Sequence, residues 1–211
     1  MSAACDRLHR MLADRRRFGF FFQEASIPRN GIYVLYESGE LGHGSDRIVR
    51  VGTHTGDNQL RSRLRQHFLN ENKDRSIFRK NIGRALLNRD QDAFFPHWEL
   101  DLTTSAAKTK YRDIVDHAKQ QEIEQQVTQY IQTRFEFVVM NVTAKEVRLE
   151  LEARMISTVA ACCNCRPSPQ WLGLHSPKAK IRDSGLWLVN ELSGKSLSYD
   201  HFALLDRAGA E

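Results

Sequence analysis

No part of the chain approaches the roughly 18 consecutive apolar residues needed to cross a bilayer. The N-terminus, MSAACDRLHRMLADRRRFGFFF, carries charges where a signal peptide needs its apolar segment. Internal repeats and low-complexity tracts are also absent. Cysteine is sparse, with Cys5 alone and Cys162, Cys163 and Cys165 together in ACCNCRP. No second C-x-x-C or H-x3-H pair accompanies that cluster, so reduced or buried cytosolic thiols are expected rather than a zinc site. A cytoplasmic, intracellular protein without a membrane partner is the expectation.

What is present suits one compact domain. The 211 residues are 41% hydrophobic and 27% charged, enough to bury a sizeable core. Lys and Arg total 31 against 26 Asp and Glu, a net charge of +5 that permits a polyanionic partner without requiring one.

Hydrophobic period divides the chain into elements. A basic helix is expected over 6–18, and SIPRN breaks the pattern before GIYVLYES and RIVRVGT, two strands joined by SGELGHGSD. Helices are expected over 60–68, 76–89 and 111–133, with a short strand around Trp98 to Leu102 between the last two. FEFVVMNV reads as a buried strand. TAKEVRLELEARMISTVA reads as a helix capped by Thr143, and a loop-rich tail follows Arg166. The fold class is α+β, a small three-stranded antiparallel sheet flanked by helices.

Several residues fit poorly as ordinary core. Strand alternation puts Ile32, Val34 and Tyr36 on one face and Tyr33 on the other; Val49 and Val51 form the apolar set of the second strand, leaving Arg50 and Gly52 opposite. Tyr33 and Arg50 then project together, unless Tyr33 simply packs beneath a helix. In LRSRLRQHF the buried stripe is Leu60, Leu64 and Phe68. Arg63 and His67 are i,i+4 neighbours at its edge, suited to gripping a phosphate and moving a proton. Arg61 and Arg65 read as a solvated basic face open to a polyanion. Glu152 points toward the apolar arc of Met155, Ile156 and Val159, where a carboxylate needs a cation, a metal or a proton.

Gly31-Ile32-Tyr33, then Arg50-Val51-Gly52, LRSRLRQHF and ELEARMI, in that order and spacing, resemble the GIY-YIG endonuclease family. The resemblance implies a metal-dependent endonuclease acting on DNA, with catalytic roles at Tyr33, Arg63, His67 and Glu152. Glu152 would ligate one divalent ion, Mg²⁺ or alternatively Mn²⁺. Tyr33 would accept the proton of the attacking water, His67 would polarise Tyr33 or relay that proton, and Arg63 would hold the phosphate. The resemblance covers mainly 31–68 and 143–172. It divides the chain into an N-terminal helical extension (1–30), a nuclease-like domain (31–172) with a long helical insertion (about 69–134), and a basic C-terminal tail (173–211).

Two departures from the family pattern stand out. Arg50 occupies the place of a second tyrosine, and Thr53 and His54 follow where a lysine is often seen. The alternative this opens is a catalytically silent nucleic-acid-binding or regulatory module. A family asparagine beyond the glutamate helix corresponds either to Asn164 or, by replacement, to Gln170. Lys178, Lys180 and Arg182, beside Trp171 and Trp187, offer a DNA backbone contact or a solvated loop.

Overall fold

The computed structural model describes residues 2–208; positions 209–211 of the expected basic tail lie outside the described residues. Helix α1 (Ser2–Ala13), earlier than the expected 6–18, leads through a long connection over 14–31, with a single helical turn at Glu24–Ser26, into strands β1 (Ile32–Gly42) and β2 (Ser45–Gly52). Helices α2 (Leu60–Phe68), α3 (Ile77–Arg89), α4 (Phe95–Glu99), α5 (Ser105–Lys110) and α6 (His117–Arg134) follow. Strand β3 (Phe135–Met140), helix α7 (Lys145–Ala160) and two helices of the tail, α8 (Ala179–Ser184) and α9 (Tyr199–Arg207), complete the chain. The sheet order is β2-β1-β3, with β1 antiparallel to both neighbours.

Side-chain alternation along β1 builds two cores, one on each face of the sheet. Tyr33 and Leu35 join Phe137 and the apolar faces of α2, α3 and α6. Ile32, Val34 and Tyr36 join Val51, Val138 and Met140 beneath α1, α7 and α9. Val49 departs from its expected face. Leu35 pairs with Arg50 and Tyr36 with Ile48, so Val49 sits in a bulge and packs on the Tyr33 side together with Arg50.

Three local expectations are corrected. Trp98 to Leu102 holds no strand: Phe95–Glu99 is helical, with Pro96 in its first turn. The expected helix over 111–133 begins later, at His117, where Asp116 caps the Lys119 N–H. Thr143 does not cap α7. Ala144 holds that position, and the Thr143 carbonyl instead accepts from the buried Arg148 guanidinium.

Candidate active site

Two glycines shape the backbone around the tyrosine, and one of them makes room for its ring. A Cβ on Gly52 would lie 2.2 Å from the Tyr33 hydroxyl and 2.3 Å from its Cζ, so the ring lies across a backbone that only glycine leaves bare. A Cβ on Gly31 would lie 2.2 Å from the Met140 carbonyl oxygen, where β1 and β3 close at their ends. Both glycines of the GIY and RVG stretches thus have steric reasons to be glycine.

Tyr33 is fully buried, and its hydroxyl lies 2.8 Å from His67 Nε2. The other imidazole nitrogen, Nδ1, lies 2.7 Å from Ser76 Oγ. Ser76 is the N-cap of α3, and its Oγ also accepts from the Arg79 N–H. One helix start therefore orients the imidazole that faces the phenol. His67 is not at the edge of the core, as its i,i+4 position suggested, but fully enclosed. Burial, then the charges of Arg50, Arg63 and Arg79, push its pKa well below the ordinary histidine value, so the ring is neutral at physiological pH.

Arg50 and Arg63 act on both His67 and Glu152. Arg50, on the same side of the bulged β2 as Tyr33, is buried; its guanidinium donates to the Trp187 carbonyl and lies over the Phe78 ring. Its Nε is a buried donor without a hydrogen-bond partner. Arg63 is half-buried and donates to Gln66 Oε1 at 3.2 Å. It lines a cleft of about 300 Å³ with Thr53, His54, Gln59 and Gln66.

Glu152 is half-buried on α7, turned toward the end of β2. Burial raises its carboxyl pKa, and Arg50, the Thr53 N–H and Arg63 oppose that rise, in that order. It makes none of the ion pairs within 4 Å found among the described residues. The apolar arc expected around it is real, since Met155, Ile156 and Val159 are buried. Glu152 stands at the rim of that arc and faces the arginines. Because α7 and α2 lie on opposite faces of the sheet, the two halves of the site meet around one of its two edge strands, β2.

The remaining candidates either have other partners or stand exposed away from this cleft. His54 accepts from the Gly31 N–H through Nε2 and contacts the Gly56 carbonyl through Nδ1, so both ring nitrogens are committed to holding the loop after β2. Asn164 and Gln170 are exposed, and Gln170 lines a separate cleft with Glu37 and Tyr130. Arg61 donates to the Ile27 carbonyl and Arg65 pairs with Glu24, fastening α2 to the preceding turn. Lys178 and Lys180 are exposed, whereas Arg182 donates to the Ser176 carbonyl. Trp171 and Trp187 are buried and donate their indole N–H groups to Glu37, which removes them as base-stacking platforms.

Three contributors escape the motif pattern. Ser76 announces itself only as a helix cap. Arg148 is fully buried and donates to the His54, Val142 and Thr143 carbonyls, fixing the loop after β2 against the start of α7. Glu191, 39 positions beyond Glu152, brings a second carboxylate charge that raises the Glu152 pKa.

No curated protein and no solved structure matches this chain. The GIY-YIG domain pattern matches residues 2–207, nearly the whole length. The three-stranded antiparallel sheet, the two glycine-ended strands and the tyrosine lodged over Gly52 accord with that match. The family's activity is of the nuclease type, exerted on DNA generally with a divalent metal. This chain belongs to the GIY-YIG domain family.

Proposed function

We propose that the chain is an endonuclease that hydrolyses DNA phosphodiester bonds with one divalent ion, Mg²⁺ or Mn²⁺, held at Glu152. The observation that supports it most is the contact between Tyr33 and a neutral, buried His67 beside two arginines and an ion-pair-free carboxylate. The donor chemistry fits a hard cation, which takes one or two carboxylates and completes its shell with water and phosphate oxygens. Bound there, such an ion supplies Lewis-acid stabilisation of the charge that develops on the phosphate.

The chain's own groups account for the rest of the reaction. With the imidazole proton on Nδ1 facing Ser76, the Nε2 lone pair faces the Tyr33 hydroxyl and draws on its proton. Tyr33 accepts the proton of the attacking water as His67 takes up its own. Arg63, at the cleft wall, holds the phosphate as its charge grows. The unpartnered Nε of Arg50 adds a second donor where the family pattern has a tyrosine. The nuclease unit is residues 31–172, with 69–134 as its insertion and the flanking segments packed on it.

Incubation with supercoiled plasmid and Mg²⁺ or Mn²⁺ tests this reading. Cleavage is expected for the native protein and not for Glu152→Ala; cleavage that survives the substitution overturns it. One observation favours a silent DNA-binding module, namely that Tyr33 and His67 are both fully enclosed. Tight, salt-sensitive DNA binding without cleavage under any divalent ion selects that alternative.

A further inference from the structure

Three segments remote in sequence bring two thiols and two imidazoles together on the face of the sheet opposite Tyr33. Cys5 and His9 lie one turn apart on α1, His43 sits in the β1–β2 turn, and Cys165 follows α7. One ligand atom from each of the four lies within 4.8 Å of all the others. Cys5 Sγ and Cys165 Sγ are 3.5 Å apart, and His9 Nε2 is 3.9 Å from Cys165 Sγ. A tetrahedral zinc site with Zn–S near 2.3 Å and Zn–N near 2.0 Å requires donor separations of about 3.3–3.8 Å. The four donors need only a small inward adjustment to meet that requirement.

The surroundings orient the donors as metal ligands are oriented. His9 Nδ1 is 2.9 Å from the Cys5 carbonyl oxygen and donates to it, which leaves the lone pair on Nε2; that nitrogen lies 3.9 Å from Cys165 Sγ and accepts a long, 3.4 Å bond from the Ile48 N–H, which a metal would displace. His43 Nδ1 lies 3.6 Å from the Asp6 carboxylate, just beyond hydrogen-bond distance, so a small shift on metal binding makes the carboxylate–histidine pairing that orients a ligating imidazole. The His43 backbone has φ 54°, a left-handed conformation that aims the ring inward from a two-residue turn with Gly44. Gly42 leaves space for the thiol: a Cβ there would lie 3.3 Å from Cys165 Sγ. Cys5, His9 and Cys165 are buried, as zinc thiolates in structural sites are.

We propose that Cys5, His9, His43 and Cys165 form a structural zinc site, separate from the Glu152 site, that clamps α1 and the end of α7 to the β1–β2 turn. Zinc binding displaces the two thiol protons and draws the four donors into a closed four-coordinate centre. The motif was hidden because its ligands are one short helical pair, one turn residue and one distant cysteine. Cys162, whose Sγ is 3.2 Å from His43 Nε2, is a neighbour of this centre and not one of its four ligands.

Elemental analysis of the full-length protein, purified under reducing conditions and gel-filtered, is expected to find about one zinc per chain. Replacement by Co²⁺ is expected to give the visible d–d bands and thiolate charge-transfer absorption of a tetrahedral mixed sulfur–nitrogen site. His43→Asn keeps a residue that tolerates the left-handed turn while removing a ligand, so it serves where Cys5→Ser or Cys165→Ser fails to fold. It is expected to lose most of the zinc, whereas Cys163→Ser, at an exposed position, and Glu152→Ala retain it. Zinc-free native protein with no cobalt spectrum, or a Cys5–Cys165 disulfide in place of metal, overturns the proposal. Zinc retained at the native level in His43→Asn overturns it as well.

Discussion

The Tyr33 hydroxyl lies 2.8 Å from His67 Nε2, and both residues are sealed from solvent between β1, α2 and α3. A phenol beside a neutral imidazole can lose its proton without placing a charged histidine in the ground state. The proposed proton relay requires a neutral, correctly turned ring: burial and the neighbouring arginines keep it neutral, and the N-cap Ser76 orients it.

Substitutions at Tyr33 and Ser76 test chemistry and folding separately. Tyr33→Phe keeps the ring over Gly52 and loses only the hydroxyl, so the protein is expected to fold while single-turnover plasmid cleavage falls by about 10²–10⁴-fold. Ser76→Ala is expected to lower cleavage less and to cost about 1 kcal/mol of stability through the lost cap. Chemical denaturation alongside cleavage assays reads both effects.

Protonation of His67 links stability to pH. Its folded pKa lies below the unfolded value of 6.5, so the unfolded chain binds this proton more readily than the native one. The stability that the neutral ring contributes is complete above pH 6.5 and declines as pH falls from there toward the folded pKa. His67→Gln is expected to flatten that part of the stability–pH curve, measured by urea unfolding across the acid range.

Glu152 carries the opposite sign. Its raised folded pKa means that the native protein takes up this proton more readily than the unfolded chain, so the advantage present at low pH is lost as pH rises through the folded value. Glu152→Gln is expected to raise the Tm of the metal-free protein at neutral pH while abolishing cleavage. Differential scanning calorimetry with and without Mg²⁺ checks this, and the stabilisation by Mg²⁺ is expected to vanish in the variant.

Gly52 is the most sterically constrained position of the RVG stretch. Gly52→Ala drives a methyl group into the Tyr33 ring and is expected to destabilise the fold by about 1–3 kcal/mol, with cleavage reduced beyond the loss of folded protein. Arg50→Ala tests the departure beside it. Cleavage is expected to fall by about 10²-fold with DNA affinity nearly unchanged, because a buried charge that acts on both His67 and Glu152 bears on developing charge rather than on the duplex.

Much of this architecture was legible in the residue order. Alternation along GIYVLYES placed Tyr33 opposite Ile32 and Val34, and the 3.6-residue period of LRSRLRQHF buried Leu60, Leu64 and Phe68, because both signals are local. The bulge at Val49 was not legible, since a bulge is set by the partner strand. The burial of Trp171 and Trp187 depended on Glu37, more than 130 positions away, accepting both indole N–H groups. The exposed look of a basic tail concealed that pairing.

The sequence by itself determined the two glycine-ended strands, the tyrosine on the far side of the first, and the helical positions of the arginine, histidine and glutamate. Each follows from side-chain size and backbone period. Only the tertiary structure decided that β2 is the edge strand around which α2 and α7 bring Arg63 and Glu152 together. It likewise decided that Ser76 turns the imidazole and that Cys5, His9, His43 and Cys165 converge. Those relationships span dozens to more than a hundred residues, and chain order carries no signal for contacts made by packing across a sheet.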